Sequence, residues 1–163
     1  MAADSVHIAV SGGGEADDVA CRMAEDVGRE LARRGAVVVT GGLGGAMAAA
    51  CRGAKAEGGT TIGILPSDDR ADANPWVDTA VPTGLGEGRN ALVVRAADAV
   101  IAVAGEFGTL SEIALALRLG KPVVGLGTWE LARGGHPVDA VIVAATRTEA
   151  AEAAVALAKC SGP

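Results

Sequence analysis

The sequence predicts an α/β protein built on a mostly parallel central sheet of about six or seven strands, with helices on both faces. Three observations predict it. Short apolar runs alternate along the chain with segments of helical periodicity. The runs are apolar at nearly every position, so they are buried on both faces, as in parallel sheets flanked by helices. Glycine-rich turns follow three of the runs, where open α/β sheets place their ligands.

The elements follow in order. Residues 6–10 (VHIAV) read as a strand, and the turn 11–14 follows. A helix then runs to about Arg34. Val19, Met23, Val27 and Leu31 recur every four residues along one face, and Arg33, Arg34 and Gly35 form the basic last turn and terminal glycine that a helix end favours. Residues 36–40 (AVVVT) are the second strand, 41–45 its turn, and 45–56 a helix stopped by Gly58 and Gly59. Thr61–Leu65 (TIGIL) is the third strand. The polar segment 66–78, with Pro66 and Pro75, reads as a surface loop, 79–81 as a short strand and 84–88 as a flexible stretch. Residues 89–97 read as an unusually apolar helix. Ala99–Val103 (AVIAV) is a strand, and the helix after it begins at Thr109 or Leu110 and ends at Gly120, because Lys121-Pro122 cannot continue it. Residues 123–126 and 140–144 are the last strands, and 146–159 a closing amphipathic helix. No repeat or linker appears, so residues 1–163 read as one domain.

Composition narrows the function classes. The formal charge is −6, and the 14 basic residues form no stripe or tail, which argues against nucleic acid or an anionic membrane as partner. Two Trp, one Phe and no Tyr leave few platforms for stacking bases in series. The three Cys, at 21, 51 and 160, show no zinc spacing, and an odd count without a disulfide framework suits a reducing compartment. The first residues lack the basic and apolar regions of a signal peptide, and no apolar run reaches about 20 residues. These features predict a cytoplasmic protein.

Glycine, 24 of 163 residues, should sit in loops, since helices and strands disfavour it. It clusters at 12–14, 41–45, 84–88 and 105–108. The turns Ser11-Gly12-Gly13-Gly14, Gly41-Gly42-Leu43-Gly44-Gly45 and Gly105-Glu106-Phe107-Gly108-Thr109 together point to a bound phosphate, nucleotide or similar anion. The dinucleotide fingerprint fails: Asp17 stands where its third glycine belongs, and no acid follows the second strand. The P-loop pattern and G-x-S-x-G are absent too. His7, in a strand, reads as a satisfied buried or edge residue, and His136, in a glycine turn, as solvated.

Arg89 and Glu112 remain, a basic residue opening one helix and an acid opening the next, both near strand carboxyl ends where their side chains can converge. Structural roles compete. Thr109-Leu110-Ser111-Glu112 fits a capping box, with Thr109 as the cap and Glu112 reaching back to the Thr109 N–H. Arg89 fits a surface position equally. A carboxylate in the first turn faces the positive end of the helix dipole and should stay ionised, which suits stabilising a cation better than donating a proton.

Gly41, Gly42, Gly44, Gly45, Ala46 and Met47, then Arg89 and Asn90, then Gly105, Gly108, Thr109 and Glu112 resemble the GGGxxGLM, RK and PGGxGTxxE pattern of the LOG-like superfamily, once misnamed lysine decarboxylases. The resemblance runs from the first strand to Pro122. Residues 59–66 (GTTIGILP) and 115–124 (LALRLGKPVV) look closest to a short bacterial branch that includes molybdenum-cofactor carrier proteins.

The resemblance implies a Rossmann-like three-layer sandwich, a homodimer or higher homo-oligomer, a small phosphorylated ligand and no required cofactor or metal. Enzymes of the superfamily cleave the N-glycosidic bond of cytokinin nucleoside 5′-monophosphates, releasing base and ribose 5-phosphate. Their essential Arg and Glu fall on Arg89 and Glu112. A fixed carboxylate suits the oxocarbenium-like cation of that reaction. Glu112 would stabilise that cation or orient water, Arg89 would hold substrate, and the Gly108 and Thr109 N–H groups would take the phosphate. Gly12, Gly13, Gly41, Gly42, Gly44, Gly45, Met47, Asn90 and Gly105 complete the expected ligand site.

Three readings follow: a nucleoside 5′-monophosphate phosphoribohydrolase; a non-enzymatic carrier of molybdenum cofactor or another phosphorylated ligand; and a nucleotide sensor acting through dimer contacts of the helices at 89–97 and 110–119. The chain departs from the enzymes' pattern at Ala104 (for Pro), Glu106 (for Gly), Asn90 (for Lys) and Leu43 (for Gly), and its 41–47 turn is one residue shorter. Glu106 sets a negative charge beside the expected phosphate site.

Overall fold

The computed structural model describes residues 5–160. In chain order the elements are β1 (His7–Ser11), α1 (Asp18–Arg33), β2 (Val37–Thr40), α2 (Gly45–Ala56), β3 (Thr61–Leu65), β4 (Thr79–Pro82), α3 (Asn90–Ala96), β5 (Ala99–Val103), α4 (Phe107–Arg118), β6 (Val123–Leu126), β7 (Ala132–Arg133), β8 (His136–Pro137), β9 (Ile142–Val143) and α5 (Arg147–Cys160). Seven strands form one sheet in the order β4-β3-β2-β1-β5-β6-β9. All its pairings are parallel.

The apolar runs explain the layering, because alternate residues of one strand serve opposite faces. Ile8, Val10, Val38, Ile101, Val103, Val124 and Leu126 pack with Leu31, Ala50 and Ala154 from α1, α2 and α5. Ala9, Val39, Val100, Ala102 and Val123 face the other way, onto Val93, Val94, Ile113 and Ala116 of α3 and α4. The result is a Rossmann-like three-layer sandwich. Its strand order reverses between β1 and β5, which opens a crevice at their carboxyl ends. No helix among the described residues is long and apolar enough to cross a membrane.

The glycine excess is not confined to loops as expected: Gly63 and Gly125 lie in strands, and Gly28 and Gly53 lie in helix interiors. A Cβ on Gly28 of α1 would stand 2.0 Å from the Ala50 carbonyl oxygen, and one on Gly53 of α2 would stand 1.9 Å from that of Glu25. The pair lets the backbones of α1 and α2 touch, and so brings α2 and its preceding turn down beside β1.

Several boundaries differ from expectation. Val19 is 56% exposed, and the buried stripe of α1 is Ala20, Ala24, Val27 and Leu31. Val27 and Leu31 are buried as expected, and Ala20 and Ala24 take the inward places in the first two turns. The side chain of Asp17 caps α1, accepting from the Ala20 N–H at 2.8 Å. A single 3-10 turn spans Gly86–Arg89 ahead of α3. α4 starts at Phe107, earlier than the expected Thr109 or Leu110. The last strand shrinks to Ile142–Val143, and the small β7–β8 hairpin that contains His136 was not anticipated.

Candidate functional site

A cavity of about 640 Å³ opens at the β1/β5 switch point. β1 delivers Ser11 and the glycine turn 12–14, α2 delivers Met47, and the 3-10 turn and start of α3 deliver Arg89 and Asn90. The β5–α4 connection delivers Ala104, Gly105 and Glu106, and the first two turns of α4 deliver Gly108, Thr109 and Glu112.

Of the residues singled out in the sequence, Gly12, Gly13, Gly41, Met47, Arg89, Asn90, Gly105, Gly108, Thr109 and Glu112 all line this cavity. Gly42, Gly44 and Gly45 are off its wall and shape the 41–45 turn instead. Gly45 has φ 60°, and a Cβ there would stand 2.4 Å from the Gly13 and Gly14 carbonyl oxygens.

Arg89 is 91% buried, given a relative exposure of 9%, so the surface alternative for it is excluded. Its Nη1 donates to Asn90 Oδ1, and its Nε is buried without a hydrogen-bond partner. Nη2 lies over Gly41, where a Cβ would be 2.5 Å away, so that glycine is the floor under the guanidinium. Burial pushes the Arg89 pKa down, partly offset by the charge of Glu112. A buried guanidinium with an unpaired donor is costly unless an anion completes its hydrogen bonding.

The capping-box expectation fails. Glu106, in extended backbone, holds the N-cap position of α4 without a side-chain cap bond, and Thr109 lies buried within the first turn. Glu112 therefore sits in the second turn and, rather than reaching back along its own helix, accepts a hydrogen bond from Ser11 Oγ. Burial raises its carboxyl above the usual range, against the lowering effects of Ser11 and Arg89. Desolvation thus works against the ionised form that the helix dipole was expected to favour.

The earlier start of α4 improves the anion site. Phe107, Gly108 and Thr109 are its first three residues, whose N–H groups have no acceptor within the helix. The turn before them is constrained. Ala104 has φ 45° and Gly105 φ 96°. Thr128 Oγ1 donates to the Ala104 carbonyl at 2.5 Å, and Trp129 Nε1 donates to that of Glu106 at 3.3 Å. A proline cannot adopt the Ala104 backbone, so the departure from the superfamily pattern there is a change of backbone shape as well as of side chain.

Among the described residues Arg89 is the one cation in the wall, which it shares with Glu15, Asp17, Glu87, Glu106 and Glu112. Asp17, as the cap of α1, fills the place where a dinucleotide pyrophosphate would meet that helix. Among the described residues no group of three or more His, Cys, Asp or Glu could hold a metal ion. Ser11 was read only as the first residue of the 11–14 ligand turn, and its bond to Glu112 was not foreseen. Its signal was a polar residue closing an otherwise apolar strand. Thr128 and Trp129 were missed because only the fold brings them to the 104–106 turn.

Residues 5–158 match the SLOG cluster4 family. Among solved structures, the chain is similar to the molybdenum cofactor binding protein of Rippkaea orientalis, with 38% identity and a TM-score of 0.84 over 91% of this chain and 94% of that one. It is also similar to the molybdenum cofactor carrier protein of Chlamydomonas reinhardtii, with 35% identity and a TM-score of 0.83 over 94% and 98% of the two chains. An uncharacterized protein of Archaeoglobus fulgidus is 43% identical over 121 residues, 74% of this chain and 80% of that protein.

Proposed function

The chain belongs to the SLOG cluster4 family, and from that premise we propose that it carries a phosphorylated ligand of molybdenum-cofactor type in the cavity between β1 and β5. The observation that carries this reading is Arg89, buried in the cavity wall with its Nε unpaired, beside the free N–H groups at the start of α4. Residues that fit the phosphate are Arg89, Gly108 and Thr109. Each charge-assisted hydrogen bond to it is worth ~1.5–3 kcal/mol. The similarity to two molybdenum-cofactor proteins over nearly the whole chain supports this cargo.

The test is protection of the cargo. Molybdenum cofactor released anaerobically from a molybdoenzyme should survive exposure to air longer with this protein than with an Arg89→Ala variant. Equal decay in both would reject the carrier reading. In the same reading the protein is a cytoplasmic homo-oligomer, which light scattering and fractionation would check.

Glu112 favours a second reading. A buried carboxyl whose proton is held above its usual range is suited to donate that proton to a leaving base. Release of free base from AMP, CMP or an N6-substituted AMP, abolished by Glu112→Gln, would establish a phosphoribohydrolase. No release would leave the carrier reading alone.

A further inference from the structure

Two of the three large aromatic residues of the chain stand together beside the cavity. The Phe107 and Trp129 rings lie 5.5 Å apart between centroids, tilted by 40°. Phe107 is 75% exposed although it is the chain's one Phe. Apart from the contact with Trp129 it takes no part in the core: its helix buries Thr109, Glu112, Ile113 and Ala116 instead. Trp129 lines a second hollow of about 330 Å³, together with Gly127 and Thr128. The 104–106 turn is a wall of both this hollow and the main cavity.

The pair is tied to the anion site. Trp129 Nε1 is spent on the Glu106 carbonyl and Thr128 Oγ1 on that of Ala104. Phe107 itself is the first residue of α4, next to Gly108 and Thr109. With its N–H already committed, Trp129 adds ring surface rather than a hydrogen-bond donor, and Phe107 offers ring surface alone. Such surface recognises flat π-systems by stacking and is indifferent to their hydrogen-bonding edges.

We propose that Phe107 and Trp129 form an aromatic ledge that stacks the planar ring system of a ligand whose phosphate lies at the start of α4. This deepens the phosphate-ligand reading and rests on it. It makes the ledge the selector for a heterocyclic phosphomonoester over a plain sugar phosphate.

The experiment compares ribose 5-phosphate with AMP by calorimetric titration. It is supplemented by Trp fluorescence in a Trp76→Phe background, where Trp129 is the reporter. Wild type should bind AMP about tenfold more tightly than ribose 5-phosphate, the size of one stacking contact. AMP, but not ribose 5-phosphate, should quench Trp129. Phe107→Ala and the bulkier Phe107→Leu should both lose the AMP advantage while keeping ribose 5-phosphate affinity within twofold. Equal affinity for the two probes, with neither variant changing it, would overturn the ledge and leave the phosphate site standing. Failure of wild type to bind either probe would overturn the underlying reading and the ledge with it.

Discussion

Ser11 Oγ donates a hydrogen bond to Glu112 Oε2, joining the end of β1 to the second turn of α4 across 101 positions of sequence. The contact spans the switch-point crevice and turns the Glu112 carboxyl away from its own helix end. It also places a protonatable group opposite Arg89, on the wall of the same cavity.

The first prediction concerns that carboxyl and pH. Burial raises the Glu112 pKa in the folded protein above its ordinary value of 4.5. Between those two values the folded state binds more protons than the unfolded one, so stability falls as pH rises through the window. Glu112→Gln removes the penalty and still accepts from Ser11. Its Tm should exceed that of wild type at pH 8, and the gap should close as pH falls toward 4.5, as read by scanning calorimetry. Ser11→Ala leaves the buried carboxyl without its donor and should cost ~1–3 kcal/mol at pH 8.

A second prediction concerns the guanidinium. Arg89→Ala should weaken ribose 5-phosphate binding about 10- to 100-fold, the loss expected for charge-assisted hydrogen bonds. Gly41→Ala should weaken it several-fold with Arg89 intact, because the new Cβ would stand 2.7 Å from Arg89 Cζ and from Met47 Sδ. Calorimetric titration of both variants checks this.

The Ala104 backbone yields a third. At φ 45° an alanine is strained, so Ala104→Gly should gain up to ~1 kcal/mol. Ala104→Pro, which restores the residue of the superfamily pattern, should cost ~3 kcal/mol or more. It forbids the observed φ and removes the Ala104 N–H that donates to the Leu126 carbonyl at 3.0 Å. Urea unfolding of both variants measures the difference.

The contact between α1 and α2 provides a fourth. Gly28→Ala or Gly53→Ala would drive a methyl group into the facing backbone carbonyl. Each should cost ~1–3 kcal/mol, as overpacking does, despite the better helix propensity of alanine. Urea midpoints check this too.

The sheet was legible because its strands are apolar on both faces, and runs such as AVIAV admit few other readings. Arg89 and Glu112 were legible as polar residues set among glycine turns. Three features were not. The first turn of α1 was read through Val19, because a valine outweighs an alanine in any apolar count, yet Val19 is exposed and Ala20 is buried. The start of α4 was placed at Thr109 because Thr-x-x-Glu is a familiar cap signal. Here the backbone of the clamped 104–106 turn sets the helix start instead. The hold of Thr128 and Trp129 on that turn pairs residues more than 20 positions apart, and no local pattern announces it.

The most direct test of the account is a crystal structure of the protein grown with ribose 5-phosphate. The phosphate should lie at the start of α4, within hydrogen-bonding distance of the Gly108 and Thr109 N–H groups and of the Arg89 guanidinium. A phosphate bound at another surface, with Arg89 still lacking a partner for its buried nitrogen, would contradict it.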